Sequence, residues 1–201
     1  MKIIVVGANG TIGTAVSKEL ESNGHEVVKV GRNSGDYQMD MTNIEDIKLM
    51  FEQIKEVDAV ISTAGAANFD DLSELTPESN EVAVMSKLLG QINLVLIGQH
   101  YINEGGSFTL TTGVIMDDPI KGGVSSAMAG GGINAFVQSA AYELKRNLRI
   151  NNVSPNVIEE ALEDYGDFFK GYTAVPASKA AKAYLKSVEG IQTGQTYRVY
   201  E

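Results

Sequence analysis

The chain of 201 residues contains no cysteine and only two histidines, His25 and His100. Without cysteine there is no disulfide framework, no thiolate-ligated zinc or iron–sulfur centre and no thiol nucleophile. Two histidines far apart, outside any HExxH spacing, argue against a histidine-based metal site as well. Basic residues are scarce: 16 Lys and Arg stand against 26 Asp and Glu, a net charge of −10. That balance excludes the Lys/Arg clusters through which proteins hold nucleic acid or an anionic membrane. The deficit is deepest in residues 61–119, where eight acids face one base. No apolar run approaches the roughly 18 residues of a membrane helix, and Lys2-Ile3-Ile4-Val5-Val6 stops at Gly7, too short for the apolar core of a secretory signal. With 43% apolar residues, one core is affordable, so a single domain over residues 1–201 in the cytoplasm is the expectation.

What is present is an alternation of short β-branched runs with longer segments of helical period. Strands are read at 2–6, 26–30, 37–40, 58–62, 106–111, 149–153 and 195–199. Helices are read at 11–23, 44–55 (capped by Thr42 or Asn43), 77–103, 125–145, 159–169 and onward from Pro176. The helix opened by Pro77 is apolar on more than one face, which requires a covering element or subunit. Strand–helix–strand throughout, with right-handed crossovers, predicts a doubly wound Rossmann-type α/β fold with about seven parallel strands and helices on both faces.

Gly7-Ala8-Asn9-Gly10-Thr11-Ile12-Gly13 follows the first strand and opens the first helix. Gly7 suits the tight turn, Gly10 lets backbone approach a pyrophosphate, and Gly13 allows close helix–strand packing, while the helix N-terminus offers N–H donors. The spacing is GxxGxxG rather than GxGxxG, in the strand-to-helix context a dinucleotide site requires. Where an acid would hold the ribose hydroxyl of NAD, this chain has Gly31-Arg32-Asn33-Ser34. A guanidinium with Asn33 and Ser34 as extra donors suits a 2′-phosphate, so NADP(H) is favoured over NAD(H).

Taken in order along the chain, these segments resemble the short-chain dehydrogenase/reductase family. Gly7–Gly13 is similar to its cofactor turn, Asp40-Met41-Thr42 to its adenine-side step, and Ser62-Thr63-Ala64-Gly65 to its Asn-Asn-Ala-Gly motif. Gly105–Thr112 resembles the strand that ends at the catalytic Ser, Arg149–Pro155 the strand that ends in Pro-Gly, and Thr193-Gly194-Gln195 the C-terminal Thr-Gly-Gln. The resemblance implies cofactor contacts from Asp40, Met41, Ala64, Gly65, Pro155 and the backbone of Val157. It also implies association through the 77–103 and 125–145 helices into a homodimer or homotetramer.

The departures lie at the chemistry. The family's Tyr-x-x-x-Lys positions fall on Ser126 and Gly130, and none of the eight tyrosines has a lysine four residues later. Ser126 is a poor phenol substitute, with a far higher pKa and a shorter reach; with Ser125 it could instead cap the helix start. Three successive glycines, 130–132, each cost roughly 1 kcal/mol in a helix relative to Ala, so close approach of another backbone or of the cofactor is expected. The catalytic Ser position falls on Thr112, or on Gly113 with a one-residue slip. Lys87 stands where the family has the Asn of its proton relay. It is the candidate to hold the nicotinamide ribose or to act as the acid, with a side chain snorkelling to solvent as the plainer reading. Two functions follow: an NADP(H)-dependent oxidoreductase acting on a small carbonyl or alcohol through the trio Lys87, Thr112 and Ser126, or a non-catalytic NADP(H)-binding sensor. Lyase or isomerase chemistry is a third reading. No metal is implied.

Overall fold

The structure, a computed structural model, describes all residues 1–201. Its elements in chain order are β1 (Lys2–Val6), α1 (Thr11–Ser22), β2 (Glu26–Gly31), β3 (Tyr37–Gln38), α2 (Ile44–Gln53) and β4 (Ala59–Ser62). They continue with α3 (Pro77–Gly98), β5 (Ser107–Thr111), α4 (Val124–Ala140), β6 (Arg149–Pro155), α5 (Ala177–Glu189) and β7 (Thr196–Val199). Between β6 and α5 the segment 159–168 makes three short helical turns.

All seven strands pair in parallel in the order β3-β2-β1-β4-β5-β6-β7. Side chains of β1 alternate between faces, as a strand's period of two dictates. Ile4 and Val6 join a core with Val60, Phe108, Leu110 and Ile150 beneath α2, α3 and α4. Ile3 and Val5 join Val16, Leu20, Ile61, Tyr184 and Val188 beneath α1 and α5. The strand order reverses between β1 and β4, and the crevice beyond their carboxyl ends is where ligands bind in sheets of this kind.

Most differences from the sequence reading are at helix ends. The 77–103 helix stops at Gly98, because the Arg146 guanidinium donates to the carbonyls of Gln99 (3.0 Å) and Ile102 (2.7 Å) and so satisfies the turn that follows. The 125–145 helix ends at Ala140, and Arg146 and Asn147 take positive φ values of 59° and 56° in the turn to β6. Asn43, not Thr42, caps α2 by accepting from Glu45 N–H. The α3 helix is more apolar than the sequence reading allowed: by length and composition alone it could cross a membrane. In the fold it is a layer of the sandwich, with Leu94, Val95 and Gly98 buried. Its middle, Ala83–Gly90, is wound as a π-helix. There the fully buried Gln91 amide donates to the Lys87 carbonyl (3.0 Å) and to the Thr111 carbonyl (2.9 Å), and accepts from Thr111 N–H (2.8 Å). A π segment inside an α-helix is commonly found at a functional site.

Candidate functional site

The glycine turn is built as its spacing suggests. Gly7 sits at φ +83°, and a Cβ on Gly13 would lie 2.0 Å from the Gly7 carbonyl, so neither position admits a side chain. A Cβ on Gly10 would meet only that same carbonyl, at 3.4 Å, leaving the space in front of the turn open. The α1 N-terminus carries no side-chain cap and no acid in its first turn, and the N–H groups of Thr11, Ile12 and Gly13 have no partner within the protein. Three orphan donors at an open helix N-terminus fit a pyrophosphate.

An adjoining cleft is lined by Gly7, Arg32, Asp40, Met41, Ala64 and Gly65, among others. Arg32 is exposed and enters no ion pair. Asp40 accepts from Thr42 N–H (2.9 Å) and its hydroxyl (2.8 Å); these bonds, aided by the Arg32 charge, hold its carboxyl below the usual range. Asn9, Asn33 and Ser34 stand beside the cleft rather than in it. Asn9 donates to the Ser34 hydroxyl (2.7 Å), tying the arginine loop to the glycine turn.

On the other side of the glycine turn lies a cavity of about 390 Å³ that collects Gly10, Thr11, Ile12, Gly65, Lys87, Thr112, Ser126, Pro155 and Ile158. All three sequence candidates for catalysis therefore face one space. Lys87 is half-buried; its ammonium has no hydrogen bond or ion pair, the residue lines the cavity, and partial burial lowers its pKa to about 8. Gly65 permits this placement, since a Cβ there would come within 3.0 Å of the Lys87 Cα. Thr112 is buried, and its hydroxyl donates to Asn152 Oδ1 (2.7 Å). Asn152 in turn donates to Asn134 (3.2 Å) and Thr196 (2.9 Å). Gly113, the alternative to Thr112, lies in extended backbone and adds no polar side chain. Ser126 is buried in the cavity wall, and its hydroxyl makes no hydrogen bond within the protein.

Three expectations need correction. Ser125 and Ser126 do not cap the helix: α4 starts a residue earlier, with Gly123 at the cap, and Ser125 instead donates to Asn80 (2.7 Å). The backbone of Val157 is not free for a carboxamide. Its N–H donates to the Asn156 side chain (2.8 Å) and its carbonyl accepts from Val175 N–H (3.0 Å). The unpaired backbone donor in this wall is the next residue, Ile158, whose N–H has no partner. The signal that could have found it is Asn156 itself, whose short amide side chain can cap a neighbouring N–H. Finally, the two outer glycines of the run are packed by side chains rather than backbone: a Cβ on Gly132 would lie 2.8 Å from Leu88 and one on Gly130 would lie 3.3 Å from Met116, while one on Gly131 would meet open space. No group of three or more acidic or histidine side chains is arranged to hold a metal.

Comparison with known proteins agrees with this geometry. A family model described as enoyl-(acyl carrier protein) reductase matches residues 7–190. The crystal structure of the protein lin1944 from Listeria innocua is 55% identical over 100% of both chains, with a TM-score of 0.98. A small-chain dehydrogenase solved in complex with NADPH is 26% identical, covering 99% of this chain and 96% of its own, with a TM-score of 0.89. The 3-oxoacyl-[acyl-carrier-protein] reductase MabA of Mycobacterium tuberculosis is 25% identical over 78% of this chain and 69% of its own length. The chain belongs to the short-chain dehydrogenase/reductase family, in the branch described by the enoyl-(acyl carrier protein) reductase model. It is of oxidoreductase type and carries a nicotinamide-cofactor site.

Proposed function

We propose that the protein is an NADP(H)-dependent oxidoreductase of small carbonyl or alcohol compounds in which Lys87 supplies the charge that the family takes from its lysine. The observation that carries this is the unpaired ammonium of Lys87 in the same cavity as Thr112 and Ser126. That cavity adjoins an uncapped helix N-terminus, with the unpaired Arg32 in the neighbouring cleft. The free N–H groups of Thr11, Ile12 and Gly13 hold the pyrophosphate, Arg32 the 2′-phosphate, and Ile158 N–H the carboxamide. The NADPH-bound neighbour supports the phosphate assignment by analogy.

Bound NADPH supplies a hydride to a carbonyl carbon. The carbonyl oxygen must then gain a proton, and two donors face it: the Lys87 ammonium and the free Ser126 hydroxyl. With a pKa near 8, Lys87 is mostly protonated at neutral pH and still acidic enough to give up a proton, which water restores. Thr112 gives its own proton to Asn152, so its oxygen accepts from the hydroxyl of an alcohol substrate or product and makes no hydrogen bond to a carbonyl oxygen. Exposed Leu96 on α3 and Val124 and Met128 on α4 support a homodimer or homotetramer through this pair of helices, which light scattering would read. We place the enzyme in the cytoplasm.

The test is a parallel titration with NADPH and NADH, followed by a carbonyl screen. Tight NADPH and weak NADH binding with turnover supports the enzyme. Tight NADPH binding with no turnover of any carbonyl supports the sensor reading instead, which Ser126 and Gly130 at the positions of the family's Tyr and Lys favour. Binding of neither cofactor overturns both.

A further inference from the structure

The outer end of the cavity has walls of one kind. Past the cofactor contacts it is bounded by Phe69, Ile115, Val157, Ala161, Tyr165 and Phe169, and no lining residue is acidic. Phe69 packs against Tyr165 (5.7 Å between ring centroids) and Phe168 (5.0 Å). The Tyr172 hydroxyl donates to the Asp118 carbonyl (3.2 Å), and Lys121 pairs with Asp71 (3.0 Å). These contacts join three loops, 66–76, 114–123 and 159–172, over the cavity.

The outer surface of the same loops has the opposite character. Residues 66–76 carry three acids and no base, 114–123 two acids and Lys121, and 159–170 five acids and Lys170. Both lysines already face acids, Lys121 at Asp71 and Lys170 at Asp167 (4.0 Å), while Arg198 is committed to Asp117 (2.7 Å). An anion therefore meets a strongly negative rim before it can reach Lys87, and a mouth with low-dielectric walls focuses that field. The volume of about 390 Å³ is near the low end of the roughly 300–1,000 Å³ typical of small-molecule sites, and the nicotinamide takes part of it. What remains suits a flat apolar body against the Phe69, Tyr165 and Phe169 rings.

We infer that the substrate is a compact, uncharged carbonyl compound with an apolar, ring-bearing body. The acidic rim selects against carboxylates and phosphates, including acyl groups delivered on a phosphate-bearing carrier. This rests on the reading of the cavity as a carbonyl-reducing site.

The experiment compares a matched pair, acetophenone and phenylglyoxylate, which share a ring and a ketone and differ in a carboxylate. Affinities are read by saturation-transfer NMR on the whole protein, with and without NADPH, at low and high salt; NADPH consumption is followed separately. Acetophenone should bind about tenfold more tightly at low salt, with the gap shrinking as salt screens the rim. In the Asp164→Lys/Asp167→Lys variant, checked for native folding by circular dichroism, the gap should shrink several-fold at low salt. Equal or tighter binding of phenylglyoxylate, a gap that ignores both salt and the variant, or failure of both ligands to bind overturns the inference. Binding of the neutral ketone without NADPH consumption leaves the ligand class standing and overturns the hydride-transfer reading instead.

Discussion

Replacing Lys87 with Met should stabilise the fold while damaging the cofactor site. The ammonium has no partner, the residue lines the cavity, and partial burial takes its pKa from 10.5 to about 8. At about 1.36 kcal/mol per pH unit, that gap corresponds to a ceiling of about 3.4 kcal/mol of destabilisation by the buried charge. The side chain is only half-buried and solvent can relax around it, so about 1–2 kcal/mol is the working figure. The sign follows from linkage: the folded state binds its proton more weakly than the unfolded state does. The cost is therefore present in full below pH 8, is relieved as pH rises from about 8 toward 10.5, and is gone above that. Thermal unfolding at neutral pH should show Lys87→Met melting about 2–8 °C above wild type, given roughly 2–4 °C per kcal/mol at this size. The difference should close on approaching pH 10.5. NADPH affinity should fall several-fold in the same variant. A variant that melts lower than wild type, or whose gain is the same at pH 7 and above 10.5, would refute the claim that an unpaired, partly buried cation occupies the site.

Other substitutions separate binding from folding. Gly10→Ala should leave stability within about 1 kcal/mol, since its Cβ meets only one atom at 3.4 Å, yet weaken NADPH at least tenfold by blocking the pyrophosphate; isothermal titration and thermal unfolding read the two effects. Arg32→Ala should weaken NADPH by about tenfold or more, the worth of a charge-assisted contact of about 1.5–3 kcal/mol, and leave NADH unchanged; equal losses for both cofactors would remove the 2′-phosphate assignment. Gln91→Leu leaves both backbone groups of Thr111 and the Lys87 carbonyl without their partner. It should cost about 3 kcal/mol in urea unfolding, and it should raise the KM for NADPH as the π segment carrying Lys87 loosens.

Much of the fold was legible because its signals are local. The glycine turn, the β-branched runs of the other six strands and the capping residues of α2 each act over a few residues, whereas Tyr37–Asp40 carries no β-branched residue. Helix ends were less legible because their causes are distant: the α3 terminus depends on Arg146, 44 residues or more away in sequence from the carbonyls it binds. The site divides in the same way. That Lys87, Thr112 and Ser126 share one cavity follows from where topology puts the end of β5, the middle of α3 and the start of α4. That Val157 is occupied and Ile158 open depends on one Asn156 rotamer and on Val175 returning beside it, which no spacing rule encodes. That Met116 packs against Gly130 was equally out of reach, since it comes from the loop after β5.

The most direct test of the account is the pH dependence of carbonyl reduction in wild type and in Lys87→Met. If the Lys87 ammonium is the proton donor, kcat in wild type falls as pH rises through about 8, because the acid form is lost. That limb is absent from the slower variant. A limb near 8 that persists in Lys87→Met, or a wild-type rate that stays flat through this range, would contradict the role given to Lys87.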